Sequence, residues 1–200
     1  RYAAIELGLI EVPGLAYNRH CASGMAPVQG GAASIMAGMD KVVIAGGAES
    51  ISTSPSSMKR QRPGDEMAPW MSPSHPATDD APAFDMSITV GHNTASKIGI
   101  TRADMDQWAY TTHQNAIKAI DEGRFGEEIF PIEVPMRDGT MKKFDTDEHP
   151  RRETTLEKLA SLNVLHPEID GFGITAGNSS GLNDAGAALV LVDSEYAEAH

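Results

Sequence analysis

The chain has one cysteine, few aromatic residues and a shortage of positive charge: 16 Lys and Arg face 28 Asp and Glu among 200 residues, a formal net charge of −12 at pH 7. A single cysteine excludes an internal disulfide and any metal cage built of cysteines, so no metal site is expected. The charge balance argues against nucleic acid and anionic membrane surfaces as partners, because both need clustered Lys and Arg. No apolar run approaches the roughly 18 to 20 residues of a membrane span. The longest candidates run from Lys41 to Ala45 and from Ala187 to Val192. The chain opens on Arg1-Tyr2-Ala3 without a secretory apolar segment and stops at His200 inside a helix just begun at the cap Ser194, so it reads as a cytoplasmic, partial chain.

What is present alternates. Residues 1 to 9 carry a helix pattern broken at Pro13-Gly14, Leu15 to Tyr17 reads as a short strand, and an Ala- and Gly-rich stretch after Cys21 has Val28, Ala32, Ile35 and Met36 at helical spacing. Lys41 to Ala45 reads as a strand closed by Gly46-Gly47, and Leu189 to Asp193 as a second of the same type. This order predicts a layered α/β fold. Between the strands lies a long insertion, rich in Ser, Pro and Met from Ser50 to Pro82. It then predicts a helix opened by a capping box at Thr101 to Asp104, lined by Met105, Trp108, Ala109, Thr112, Ala116 and Ile120 and stopped at Gly123. A second box, Thr154 to Glu157, opens a shorter helix. The segments are 1–51 (core with the cysteine), 52–182 (insertion) and 183–200 (return strand and next helix).

A helix N-terminus favours a thiolate over a thiol. Cys21 precedes the Ala/Gly helix, and Pro27 fits that helix's first turn, where its missing N–H had no partner to lose; the helix therefore starts near Ser23 to Ala26. On these grounds Cys21 is either a nucleophile whose backbone N–H serves as an oxyanion donor, or a buried inert thiol. His20 is next to it, but neighbours in an extended segment point to opposite sides, so His20 reads as a packing residue.

The run Asn18-Arg19-His20-Cys21-Ala22-Ser23-Gly24, with Val42-Val43-Ile44-Ala45-Gly46-Gly47-Ala48-Glu49-Ser50, resembles the nucleophile segment of thiolases, the acetyl-CoA acetyltransferase family. Gly123 to Pro131 and Thr175-Ala176-Gly177-Asn178-Ser179-Ser180-Gly181-Leu182-Asn183-Asp184 are similar to two further stretches of that family. The resemblance implies a thiolase-like α-β-α-β-α fold, of which this chain holds part of the N-terminal half and its CoA-binding loop insertion. It implies acyl transfer between a 3-ketoacyl-CoA and CoA through a thioester on Cys21, by thiolysis or Claisen condensation. Met86 and Ser180 would line the pantetheine channel and Arg151 would meet the adenosine phosphate. Coenzyme A would be a substrate, with no further cofactor. The partners would be acyl-CoA and CoA, with a homodimer or homotetramer, or the missing C-terminal half. Arg151, Arg152 and Lys158 supply a cationic group suited to an anionic CoA, or else a solvated helix start.

Departures from the family pattern bear on the acyl group. Asp85-Met86-Ser87 stands where the family often has His-Met-Gly, His166 falls where an aromatic is common, and Asp184-Ala185-Gly186-Ala187 replaces Asp-Gly-Ala-Ala. The family's Asn-Glu-Ala-Phe, Gly-His-Pro and second Cys-x-Gly segments do not occur in these 200 residues. The chain by itself is therefore expected to take an acyl group on Cys21 without turning over. Two other readings stand beside thiolase: a condensing enzyme like the ketoacyl synthases, and a non-catalytic CoA-binding scaffold.

Overall fold

The computed structural model describes residues 2–200; Arg1, the first residue of the expected opening helix, lies outside them. Helix α1 spans Tyr2–Glu6, α2 Met25–Met36, and strand β1 Val42–Glu49, followed by a 3-10 turn at Ile51–Thr53 and the two-residue strands β2 (Met58–Lys59) and β3 (Ala68–Pro69). A wide π-type helical turn at Ser87–His92 runs directly into α3 (Asn93–Ile98). There follow α4 (Arg102–Asp121), β4 (Ile132–Pro135), β5 (Met141–Phe144), α5 (Leu156–Ala160), β6 (Ala185–Val192) and α6 (Ser194–Ala199). Two compact units result: one holds the chain up to Ser72 and again from Leu182, the other is Pro73–Gly181. The composition shift lies at Ser50, whereas the first unit continues through the β2/β3 pair to Ser72.

In the first unit β1 and β6 pair antiparallel along their full length, from Val42 opposite Val192 to Glu49 opposite Ala185. The long insertion thus leaves and re-enters between two paired strands. Helix α2 lies on this sheet through buried Gly31, which meets Val43 and Leu191. Alternation puts Val43 and Ala45 toward the helix and leaves Ile44 66% exposed, with Val190 on the partner strand 64% exposed. The expected strand end at Gly46-Gly47 is corrected: the strand runs through both glycines. A Cβ on Gly46 would overlap the Ala187 carbonyl oxygen, so glycine is what lets β6 approach there.

Three other expectations change in this unit. Helix α1 ends at Glu6, well before Pro13, because Gly8 at φ +77° closes it with Gly8 N–H on Ile5 O and Leu9 N–H on Ala4 O. Residues 15 to 17 form no strand; Tyr17 instead lays its phenol over Gly30 of α2. Asp193, not Ser194, caps α6: its carboxylate accepts from Tyr196 N–H at 3.1 Å and lies 3.6 Å from Lys41 Nζ.

In the second unit α4 opens as expected. Thr101 Oγ1 accepts from Asp104 N–H at 3.2 Å and the Asp104 carboxylate accepts from Thr101 N–H at 2.9 Å, which closes the capping box. Gly123, at φ +68°, ends the helix. Its buried face is rotated from the expected one. Trp108 is 72% exposed and Thr112 is exposed, whereas Asp106 and Ile117 are buried. The reason is polar: Asp106 takes an ion pair from Arg102 Nε at 2.7 Å and a hydrogen bond from Asn178 Nδ2 at 3.0 Å, which turns that face toward the loop at 173–178. Thr155, one residue later than expected, caps α5 by accepting from Lys158 N–H. The β4/β5 hairpin, closed by Gly139 and by the Asp138 carboxylate on Thr140, had no sequence reading at all. Ala83, Ala95, Ile117, Leu159, Phe172, Ile174 and Thr175 form the core of this unit.

Candidate active site

Cys21 is exposed in a tight turn four residues before the start of α2. Ala22 N–H donates to Arg19 O at 3.1 Å, Ser23 N–H to His20 O at 3.0 Å, and Arg19 N–H to Ser23 Oγ at 2.8 Å. Between them His20 adopts φ +52°, the one positive φ of a non-glycine among the described residues. Such a conformation costs about 1 to 3 kcal/mol and persists where surrounding bonds impose it. Here they do so on the residue beside the thiol. The extended geometry expected at His20 is therefore corrected: the chain reverses there, and the argument that neighbours point apart does not apply. Gly24 caps α2 without a side chain, so neither carboxylate nor hydroxyl of the cap occupies the positive end of that helix. Gly24 Cα also lies against Gly47 of β1, with just ordinary contact room for a Cβ.

At the far end of β1, the Asp184 carboxylate accepts from Ser52 N–H at 2.9 Å and from the Ser52 hydroxyl, which holds it below the usual carboxylate range. This bond ties the exit of β1 to the entry of β6.

The second unit holds Met86, Arg151 and Ser180 on separate segments, with no hydrogen bond among them. Met86 is the exposed first cap of the Ser87–His92 turn. Arg151 donates its backbone N–H to His113 Nδ1 at 3.2 Å, and its guanidinium has no ion pair among the described residues. Arg152 differs: it grips Asp121 with two bonds of 2.6 and 2.9 Å, and its guanidinium holds that carboxyl below its ordinary range. Lys158 donates to the Glu153 carbonyl. Of the expected cationic trio, Arg151 is the one whose side chain makes no hydrogen bond among the described residues. Ser180 is exposed at the end of a loop shaped by Asn178, which accepts from Thr175 N–H at 2.8 Å and donates to Gly173 O and to Asp106. The ring of His149 fills the space beside Gly181.

The family of the thiolase N-terminal domain matches residues 1–195. The chain belongs to the thiolase family. Its relatives include an acetyl-CoA acetyltransferase of Pseudomonas aeruginosa, 42% identical over all of this chain and 51% of the relative, and a beta-ketoadipyl-CoA thiolase of Acinetobacter baylyi, 40% identical over the same shares. Among solved structures, the acetyl-CoA acetyltransferase of Bacillus anthracis superposes with a TM-score of 0.76 at 35% identity, over all of this chain and 50% of that one. Human mitochondrial 3-ketoacyl-CoA thiolase gives 0.75 at 28%, over 100% and 52%. The chain spans about half the length of the curated relatives it matches.

The thiolase α/β fold is thus present in part, and the family assignment favours thiolase over the ketoacyl synthase reading. In this thiolase chain the sequence departures are not scattered. Asp85 and His166, read separately as two changes from the family pattern, are bonded to each other: His166 Nε2 lies 2.8 Å from Asp85 Oδ2. Reasoning along the sequence missed this pair, as it missed the strained His20 and the Arg102–Asp106–Asn178 network. For the pair, two charge-bearing substitutions of complementary sign were the available signal. No helix is long and apolar enough to cross a membrane among the described residues.

Proposed function

We propose that the protein carrying this chain transfers acyl groups between a 3-ketoacyl-CoA and CoA, with Cys21 as nucleophile. The Cys21 thiolate adds to the 3-keto carbon; the bond between C2 and C3 breaks, the acetyl-CoA enolate leaves and takes a proton, and the acyl group stays as a thioester on sulfur. The CoA thiol then attacks that thioester, takes the acyl group and returns the cysteine. Run backwards, the same steps are a Claisen condensation. The single observation that carries the reading is the turn itself: an exposed cysteine behind a strained His20 and ahead of α2, in a chain of the thiolase family. The proton shuttles of the cycle are not supplied by the family strings present in this chain.

Met86 and Ser180 belong to the pantetheine arm in this reading, and Arg151 to the phosphate end. Support for Arg151 comes from its free guanidinium beside an Arg152 already committed to Asp121. CoA enters as substrate and no other cofactor is invoked. Assembly as a homodimer or homotetramer, or with a C-terminal half, goes with the exposed apolar face of β1 and β6, and a cytoplasmic location with soluble acyl-CoA substrates. The test is thiolysis of acetoacetyl-CoA by the intact protein, with CoA affinity of two variants alongside. Arg151→Ala weakens CoA binding about tenfold and Arg152→Ala less than about twofold, because only the first removes an uncommitted charge. Absence of both thiolysis and condensation overturns the reading.

A further inference from the structure

His166 sits between two carboxylates, with Nε2 2.8 Å from Asp85 Oδ2 and Nδ1 2.8 Å from Glu168 Oε1. A neutral imidazole donates through one nitrogen only, so both contacts are hydrogen bonds only when the ring carries two protons. The geometry is that of an imidazolium held at both ends. Asp85 in turn does more than accept from it. Its other oxygen accepts from Ser87 N–H at 3.0 Å, from the Ser87 hydroxyl at 2.6 Å and from Ile88 N–H at 3.4 Å, which caps the wide turn Ser87–His92 immediately after Met86.

The same loop grips the far end of that turn. Phe172, 6% exposed, stacks on His92 with ring centroids 5.1 Å apart and takes the His166 ring against it at 71° and 5.0 Å. Between the grips, Gly91 lies so close to Ile174 that a Cβ would collide with it. The segment from Asp85 to His92 is therefore clamped at both ends by residues 166 to 174, and Met86 is the exposed side chain at its head. A π-type turn is an uncommon conformation that is frequent at functional sites. Here its first hydrogen-bond acceptor is a carboxylate whose other oxygen is bonded to His166.

Resting on the acyl-CoA reading above, we propose that doubly protonated His166 is a positioning residue which, through Asp85, holds Met86 as the wall of the pantetheine channel, so that acyl-CoA binding weakens when the ring gives up a proton. Loss of the proton leaves one of the two carboxylates facing a bare ring nitrogen, and the contact that breaks is either the cap of the turn or its counterweight at Glu168. The charged groups facing the ring are Asp85 and Glu168, with His92 beyond Phe172. Hydrogen bonds donated to Glu168 first, then to Asp85, against the opposing effect of burial, raise the His166 ionisation above its ordinary 6.5.

The experiment is steady-state thiolysis of acetoacetyl-CoA by the intact protein from pH 6 to 9, with the His166 ring titrated by NMR, for the native sequence, His166→Gln and Asp85→Asn. In the native protein KM for acetoacetyl-CoA rises about fivefold across the His166 titration while kcat changes less than about twofold. His166→Gln, which cannot charge and whose two donors sit on one nitrogen rather than at opposite ends of a ring, shows the high-pH KM at every pH once the titration of CoA itself is common to both. Asp85→Asn moves the NMR midpoint and the KM midpoint down together. A KM profile identical in the native protein and His166→Gln overturns the proposal, as does a His166 midpoint that Asp85→Asn leaves unmoved. Should His166→Gln fail to fold, the native and Asp85→Asn profiles decide by whether the two midpoints coincide. A native protein that binds no acyl-CoA overturns the acyl-transfer reading and this proposal together, whereas normal activity with an unmoved KM overturns this proposal alone.

Discussion

Around Cys21 the main chain does the holding: two backbone hydrogen bonds, a serine hydroxyl and a close glycine pair shape the turn, and the residue beside the thiol is forced to φ +52°. Around Met86 the work falls to ionisable side chains, with Asp85, His166 and Glu168 in a row and an aromatic pair behind them. The two regions teach different things about substitution. A turn made of backbone bonds and small residues accepts little change, and its run from Cys21 to Gly24 resembles the family's nucleophile segment. A segment held by side-chain charges depends on both partners of each contact, as Asp85 and His166 do on one another. In the proposed acyl-transfer reading, chemistry belongs to the first region and selectivity to the second.

That contrast breaks most visibly at the thiol. Cys21→Ser lowers thiolysis by at least about 10³-fold, since removing a nucleophile strips all but the residual binding and oxyanion contributions; kcat/KM for acetoacetyl-CoA measures it. Next in size is the buried polar network of the second unit. Arg102→Ala leaves the Asp106 carboxylate, 5% exposed, without its ion-pair partner and takes two donors from the carbonyls of Leu159 and Leu162. Breaking a buried pair by removing one partner costs about 3 kcal/mol, read as a lower midpoint in denaturant. Gly46→Ala in the first unit costs about 2 kcal/mol, because the added methyl meets a backbone oxygen of β6 that cannot swing aside. The same denaturant series reports it.

The smallest effect sharpens the comparison by pH. Asp85 is held below its ordinary 3.8, chiefly by the Ser87 hydroxyl and with help from His166, so its contribution is present above that value and fades as pH falls through the lowered one. His166 is raised, so its contribution is full below 6.5 and fades as pH rises through the raised value. The unfolding temperature is therefore highest between those limits and declines gently on both sides. His166→Gln removes the alkaline decline. Calorimetry at a series of pH values checks this, and an alkaline slope that survives the substitution contradicts it.

What was legible along the chain was local or repeated. The capping box at Thr101 and Asp104 needs residues three apart, Gly123 declares the end of α4 by its own backbone freedom, and the apolar runs at β1 and β6 announce two strands of one sheet. Cys21 stood out because its string is specific. What was not legible depends on distant partners. Glycines usually end a strand, and only the approach of Ala187 explains why Gly46 sits inside one. The face of α4 followed apolar spacing until Arg102 and Asp106 found Asn178, 72 residues beyond Asp106. His166 and Asp85 are 81 residues apart, and each alone looks like an ordinary surface charge.

Whether Cys21 carries the acyl group is tested directly by peptide mass spectrometry after incubation of the intact protein with acetyl-CoA. One acetyl group is predicted on the peptide that contains Cys21, labile to hydroxylamine as a thioester is and discharged by added CoA. An unmodified Cys21 peptide, or acetyl resistant to hydroxylamine on some other residue, contradicts it.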